Sequence, residues 1–124
     1  MMTEEKKRIL VVEDDQYIRD SLAELLQDEG YTVSVARDGQ EGLDALAHTT
    51  LPDLILLDLM MPVKDGFQFR AEQRQDPRLA NIPVVIFSAD TGVNQPHAQF
   101  EGAAILKKPV DLDALLSMVK QFCT

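Results

Sequence analysis

Three short runs of consecutive apolar residues constrain the fold of this chain more than any other feature. They cover residues 9–12, 54–57 and 84–87, and a weaker run covers residues 103–106. Apolar residues at successive positions are typical of strands buried on both faces, as in a parallel sheet that helices cover. Residues 31–36 alternate between apolar and polar side chains, which favours a strand at the edge of the sheet.

Amphipathic helical patterns lie between the runs. Residues 17–26 carry apolar side chains at the helical period, and Gly30 is placed to end that helix. Five strands alternating with five helices predict a doubly wound α/β fold, a three-layer sandwich around a parallel five-stranded sheet. The expected N-caps are Asp15, Asp38 (with Glu41 completing a capping box), Asp65 and Asp111, and a short fourth helix is expected to begin near Pro96.

Length and charge narrow the possible functions. The 124 residues fit one domain, which we place at residues 8–124 after a flexible segment at residues 1–7. The formal net charge of −9 argues against a nucleic-acid surface and against binding to anionic membranes. The single cysteine, Cys123, cannot form an internal disulfide, and no apolar run approaches the roughly 18 residues of a membrane span. We therefore expect a cytoplasmic protein.

Polar residues follow the apolar runs directly. In open parallel sheets, ligands bind beyond the carboxyl ends of the strands, so side chains at those ends are expected to converge. Three acids, a hydroxyl and an ammonium group would then meet at one edge of the sheet. In chain order they are Glu13 and Asp14, Asp58, Ser88, and one of the neighbours Lys107 and Lys108.

Three converging carboxylates predict a metal site. Two unit charges 4 Å apart repel by roughly 4 kcal/mol at an effective dielectric constant near 20. A hard divalent cation with oxygen ligands, Mg²⁺ or Mn²⁺, would offset that repulsion. One carboxylate could then attack a phosphoryl group, as aspartate does when it forms an aspartyl-phosphate.

Four segments, taken together, resemble the receiver domain of bacterial response regulators. They are residues 9–15 (ILVVEDD), 56–66 (LLDLMMPVKDG), 87–89 (FSA) and 106–109 (LKKP). The resemblance covers nearly the whole chain and implies a flavodoxin-like sheet with strand order 2-1-3-4-5. It also implies a stand-alone signalling protein, whose only enzymatic chemistry is its own phosphorylation and dephosphorylation.

The resemblance implies a role for each residue at the strand ends. Asp58 would receive a phosphoryl group from a sensor histidine kinase or a histidine phosphotransfer protein, and its phosphorylation would change binding to a downstream protein not identified by the sequence. The other implied roles are Glu13, Asp14, Asp58 and the backbone carbonyl of Met60 as metal ligands, Lys108 as the phosphate-pairing lysine, and Ser88 as the switch hydroxyl.

Some positions of this chain depart from the family pattern, and others are positions that tune dephosphorylation in the family. Most receivers carry an aromatic residue three positions before the conserved lysine, where this chain has Ile105. Val110 replaces an aromatic residue that many members carry after the proline. The usual read-out of phosphorylation is therefore expected to differ here. Met60 and Asp90 occupy the positions that flank the attacking water in the family and tune dephosphorylation.

Two other classes of function compete with this interpretation. A metal-dependent phosphohydrolase with an aspartyl nucleophile usually needs a second acid two residues later, and that position is Met60. A degenerate receiver could serve only as a protein-interaction module, although the complete set of acids, hydroxyl and lysine argues against it.

Overall fold

Strands and helices alternate along the chain, as the apolar pattern predicts. The computed structural model describes residues 7–48, 50–58, 66–88, 104–107 and 111–123. Within these residues the strands are β1 (Arg8–Val12), β2 (Thr32–Ala36), β3 (Leu54–Asp58), β4 (Val84–Ser88) and β5 (Ala104–Lys107). The helices are α1 (Gln16–Asp28), α2 (Gly39–His48), α3 (Gly66–Gln75) and α4 (Leu112–Phe122).

The five strands form one sheet in the order β2-β1-β3-β4-β5, and every neighbouring pair is parallel. This order confirms the predicted doubly wound fold and places β2 at an edge, as its alternating pattern indicates. The strand order reverses between β1 and β3. The carboxyl ends of these two strands therefore flank the switch point at which such folds bind their ligands.

Each face of the sheet is covered by two of the described helices. Alternate residues of the central strands enter one of two apolar clusters, because successive side chains on a strand point to opposite faces. On one face, α2 and α3 contribute Leu46 and Phe69. On the other, the buried contributions of α1 and α4 are Leu22, Leu26, Leu115 and Val119. The resulting three layers agree with the predicted sandwich.

Gly42 lets α2 approach the sheet and α3 closely. A Cβ atom at this position would lie 3.0 Å from a ring carbon of Phe69 and 3.1 Å from a methyl carbon of Val12. Most side chains would therefore push α2 away from both neighbours.

The helix ends confirm most of the predicted caps. The Asp15 carboxylate accepts a backbone N–H of the first turn of α1 at 3.0 Å, and Asp111 caps α4 in the same way. Asp38 accepts the backbone N–H of Glu41 at 2.8 Å. The Glu41 carboxylate, however, accepts the backbone N–H of Arg37 at 3.0 Å and pairs with the Arg37 Nε at 3.0 Å. Only half of the predicted capping box therefore forms.

Some predictions concern other parts of the chain. The N-cap at Asp65, the helix near Pro96 and Val110 lie outside the described residues. The domain bounds and the flexible segment at residues 1–7 remain predictions. None of the helices within the described ranges combines the length and apolar character needed to cross a membrane.

Candidate metal centre

Three acids meet where β1 and β3 end. Val12 pairs with Leu57 in the parallel register, so the residues that follow, Glu13 and Asp58, come side by side at the carboxyl edge of the sheet. One carboxylate oxygen from each of Glu13, Asp14 and Asp58 lies within 4.8 Å of the other two. These three residues form the acidic cluster, and the structure thus brings together the acids that the sequence predicted would converge.

Two members of the acidic cluster are removed from water. Glu13 is 0% exposed and Asp58 is 2% exposed, whereas Asp14 is exposed. Burial, a side-chain hydrogen bond with Asp58 and the negative charge of Asp58 raise the pKa of Glu13 from 4.5 to about 8. At neutral pH the metal-free cluster therefore favours a protonated Glu13 that shares its proton with the Asp58 carboxylate.

Backbone hydrogen bonds fix the segment that carries the first two acids. The Glu13 N–H donates to the Ala36 carbonyl at 3.0 Å, which extends the pairing of β1 with β2 by one residue. The Asp15 N–H donates to a carboxylate oxygen of Glu13 at 3.2 Å. These two bonds restrain the backbone of Glu13 and the direction of its side chain.

Arg19 also contacts this segment, and sequence reasoning missed it. Its Nη1 donates to the carbonyl oxygen of Glu13 at 2.9 Å and to that of Asp14 at 3.3 Å. The side chain is buried although it is charged. The available signal was its position, since it lies three residues before Leu22 and seven before Leu26, on the buried face of α1.

The donor set of the acidic cluster fits a hard divalent cation. Its donors are all carboxylate oxygens, which suit Mg²⁺ and Mn²⁺ better than metals that prefer nitrogen or sulfur ligands. The raised pKa of Glu13 points the same way. Burial is its largest cause, and the side-chain hydrogen bond with Asp58 and the negative charge of Asp58 raise it further. A bound cation would favour the ionised form of all three carboxylates.

The structure places the backbone of the other strand ends at the same edge of the sheet. Asp58 pairs with Phe87, and Ser88 pairs with Lys107, so β3, β4 and β5 end side by side. Ile105 is partly buried and packs against the apolar cluster that α2 and α3 cover. The remaining predicted site residues, Met60, Asp90 and Lys108, lie outside the described residues, as does the Ser88 side chain.

Comparison with known proteins identifies the family. The family model for the response regulator receiver domain matches residues 9–120. The chain belongs to this family. Response regulators are the receiving components of two-component signalling, so the resemblance carried by the four sequence segments is confirmed.

Similar proteins include both longer regulators and single receiver domains. The DNA-binding dual master transcriptional regulator RpaA of Synechocystis sp. is 40% identical over 115 residues, which cover 91% of this chain and 47% of that protein. This chain spans about half the length of the curated relatives it matches.

Two solved receiver structures resemble this one over nearly their whole length. The chemotaxis response regulator CheY4 of Vibrio cholerae is 31% identical, with a TM-score of 0.83 over 95% of this chain and 99% of that one. The response regulator TrrA of Thermotoga maritima, solved in complex with Mg²⁺ and BeF, is 31% identical, with a TM-score of 0.81 over 94% of this chain and 98% of that one.

Proposed function

We propose that Asp58 of this receiver domain accepts a phosphoryl group from a phosphohistidine donor, with Mg²⁺ or Mn²⁺ held by the acidic cluster. The observation that carries the proposal is the convergence of Glu13, Asp14 and Asp58 within 4.8 Å at the switch point of the sheet. The cation would neutralise the clustered carboxylates and the oxygens of the phosphoryl group. The TrrA complex with Mg²⁺ and BeF supports this choice of ligand.

In the proposed transfer, a carboxylate oxygen of Asp58 attacks phosphorus. The new bond joins that oxygen to phosphorus, the bond from phosphorus to the donor imidazole nitrogen breaks, and the imidazole leaves with the electron pair. The backbone carbonyl of Met60 is proposed as a further metal ligand. Lys108 is proposed to pair with the phosphoryl oxygens, and Asp90 to influence the water that later hydrolyses the aspartyl-phosphate.

The proposed signal is the new charge at Asp58. Phosphorylation adds up to about two negative charges and three acceptor oxygens, and the Ser88 hydroxyl is proposed to turn toward them. Ile105 would carry the resulting shift in place of the usual aromatic ring. Because Ile105 packs against the core on the α2 and α3 side of the sheet, a change in its rotamer would reach that face.

The proposed partners follow from the family. A histidine kinase or a histidine phosphotransfer protein would supply the phosphoryl group in the cytoplasm, and an unidentified protein would bind the phosphorylated form. RpaA is a DNA-binding protein by name. For the receiver described here, the net charge of −9 favours a protein target over direct contact with nucleic acid.

Phosphorylation of single-site variants tests the proposal. The wild type is incubated with Mg²⁺ and acetyl phosphate, and the phosphorylated fraction is measured by intact-protein mass spectrometry, alongside Asp58→Asn and Asp53→Asn. Asp53 is a matched control, because it is an exposed aspartate that immediately precedes the same strand, at the end opposite to Asp58. We expect phosphorylation of the wild type and Asp53→Asn, and none of Asp58→Asn.

Each other outcome contradicts the proposal in a recognisable way. Phosphorylation of Asp58→Asn to the same extent as the wild type would show that another residue accepts the phosphoryl group. A folded wild type that binds Mg²⁺ but is never phosphorylated would support an interaction module. Steady turnover of an added phosphomonoester would favour a phosphohydrolase.

A further inference from the structure

Arg19 is a buried cation whose described hydrogen-bond acceptors are backbone carbonyls. The residue is 9% exposed, and its side chain projects from the first turn of α1 toward the end of β1. Its Nη1 atom is shared between the carbonyl oxygens of Glu13 and Asp14, at 2.9 and 3.3 Å. The guanidinium therefore contacts the main chain of both acids on the loop between β1 and α1.

This placement is costly for a charged group. Burying a guanidinium removes it from water, and two neutral carbonyls compensate less well than a carboxylate would. An apolar residue at position 19 would continue the stripe formed by Leu22 and Leu26 without that cost. The hydrogen bonds with the two acid-bearing peptides are what the arginine supplies and an apolar residue could not.

We propose that Arg19 is a positioning residue for the metal site. By holding both carbonyls, it fixes the two peptide groups from which the Glu13 and Asp14 side chains project, so that their carboxylates face Asp58. Mg²⁺ demands near-ideal octahedral geometry, which makes its binding sensitive to the orientation of its ligands. This inference rests on the proposed function, since it assumes that the acidic cluster binds Mg²⁺.

A positioning role and a purely electrostatic role of Arg19 predict opposite changes in Mg²⁺ affinity when the arginine is replaced. A cation close to the acidic cluster competes with Mg²⁺, so removing its charge alone would tighten Mg²⁺ binding. Loss of positioning would weaken binding instead. Residues that orient metal ligands typically contribute roughly ten-fold or more to metal affinity.

The experiment is a Mg²⁺ titration of the unphosphorylated protein, followed through backbone amide chemical shifts by NMR. The variants are Arg19→Met, which removes the charge and the hydrogen bonds, and Arg19→Lys, which keeps the charge but loses the planar fork of donors. Gln73→Leu is the matched control. Gln73 is 0% exposed and its Nε2 also donates to two carbonyls, those of Leu79 and Ile82, on a different loop.

We expect the Kd for Mg²⁺ to rise roughly ten-fold in Arg19→Met and by a smaller factor in Arg19→Lys. Gln73→Leu should keep the wild-type Kd, even though it destabilises the fold. An unchanged or lower Kd in Arg19→Met would overturn the positioning role, and so would an equal rise in Gln73→Leu. If the wild type itself shows no Mg²⁺-dependent shift at residues 13, 14 and 58, the proposed metal site is wrong, and the proposed role of Arg19, which depends on it, is wrong as well.

A measurement on the unmutated protein covers the case in which the Arg19 variants do not fold. The Arg19 Nη resonance should move during the Mg²⁺ titration, because its acceptors lie on the ligand-bearing peptides. The Gln73 Nε2 resonance should stay in place. A stationary Arg19 resonance beside shifting Asp14 and Asp58 amides would contradict the proposed coupling.

Discussion

Two clusters of buried polar residues in this protein differ in how well their charges and hydrogen-bonding groups are matched. In the Gln73 cluster (Arg70, Gln73 and the carbonyls of Leu79 and Ile82), donors match acceptors: Arg70 Nη1 donates to Gln73 at 2.6 Å, and Gln73 donates to both carbonyls at 3.0 Å. In the acidic cluster, like charges are held together and the pKa of Glu13 rises to about 8.

The difference separates a structural arrangement from a site prepared for a ligand. A buried amide that satisfies its neighbours stabilises the loop between α3 and β4, whatever the solution contains. The acidic cluster holds three carboxylates together, and a bound cation or a proton on Glu13 reduces their mutual repulsion. Proteins retain such unfavourable groupings mainly where function requires them.

The largest expected effect is a pH dependence of stability that the acidic cluster produces and the Gln73 cluster does not. Glu13 has a folded pKa of about 8, above its ordinary 4.5, so the folded state binds more protons than the unfolded state between these values. Its stabilising contribution is complete below the unfolded pKa and is lost as the pH rises through about 8. At about 1.4 kcal/mol per pKa unit, the loss over the whole range is at most about 5 kcal/mol.

Urea unfolding in EDTA, measured from about pH 5 to about pH 9 on the wild type and Glu13→Gln, checks this expectation. Glutamine imitates the protonated acid at every pH, so the variant should show a much flatter curve. Other titrating groups, including Cys123, are common to both proteins and cancel in the difference. Parallel curves for the two proteins would mean that Glu13 titrates normally and that the acidic cluster is not strained.

The next effect belongs to the Gln73 cluster. Gln73→Leu keeps the size of the side chain but leaves two carbonyls and an arginine donor without this partner. We expect a loss of about 3 kcal/mol in the free energy of unfolding, independent of Mg²⁺ and nearly independent of pH. The matched control is Gln75→Leu, an exposed position on the same helix, which should change stability by less than about 0.5 kcal/mol. Equal urea unfolding midpoints for the two variants would contradict a structural role for Gln73.

The sequence could predict the framework because its signals are local. Four successive apolar residues before Glu13 and before Asp58 suit a strand buried on both faces, and the rule for parallel sheets then brings the strand ends together. The caps at Asp15 and Asp111 are similarly local. The half-formed capping box at Glu41 shows the limit, because the Arg37 side chain draws the carboxylate one residue further back.

The buried polar residues could not be predicted in the same way. Arg19, Arg70 and Gln73 occupy inward positions of their helices, but arginine and glutamine usually lie in solvent. Their burial depends on which carbonyls the neighbouring loops present, and that is a property of the assembled fold. The burial of the acids also depends on the assembled fold, since the structure buries Glu13 and leaves its neighbour Asp14 exposed.

The smallest expected effect is a gain in stability when the nucleophile is removed. Above the Glu13 pKa of about 8, where Glu13 is ionised, Asp58→Asn deletes one of two buried like charges and leaves an amide that can donate to the Glu13 carboxylate. In EDTA at about pH 9 we expect the free energy of unfolding to rise by roughly 1–2 kcal/mol. Asp53→Asn, at the exposed position just before β3, should change little, because an asparagine oxygen can still accept the Arg8 N–H. Mg²⁺ at about ten times its Kd should stabilise the wild type by about 1.4 kcal/mol and cancel most of the stability advantage of the variant.

Two outcomes would contradict this expectation: an Asp58→Asn variant that is less stable than the wild type in EDTA, or a stability advantage that Mg²⁺ does not reduce. Either result would show that the acidic cluster is as well matched as the Gln73 cluster, and the contrast between the two clusters would be wrong.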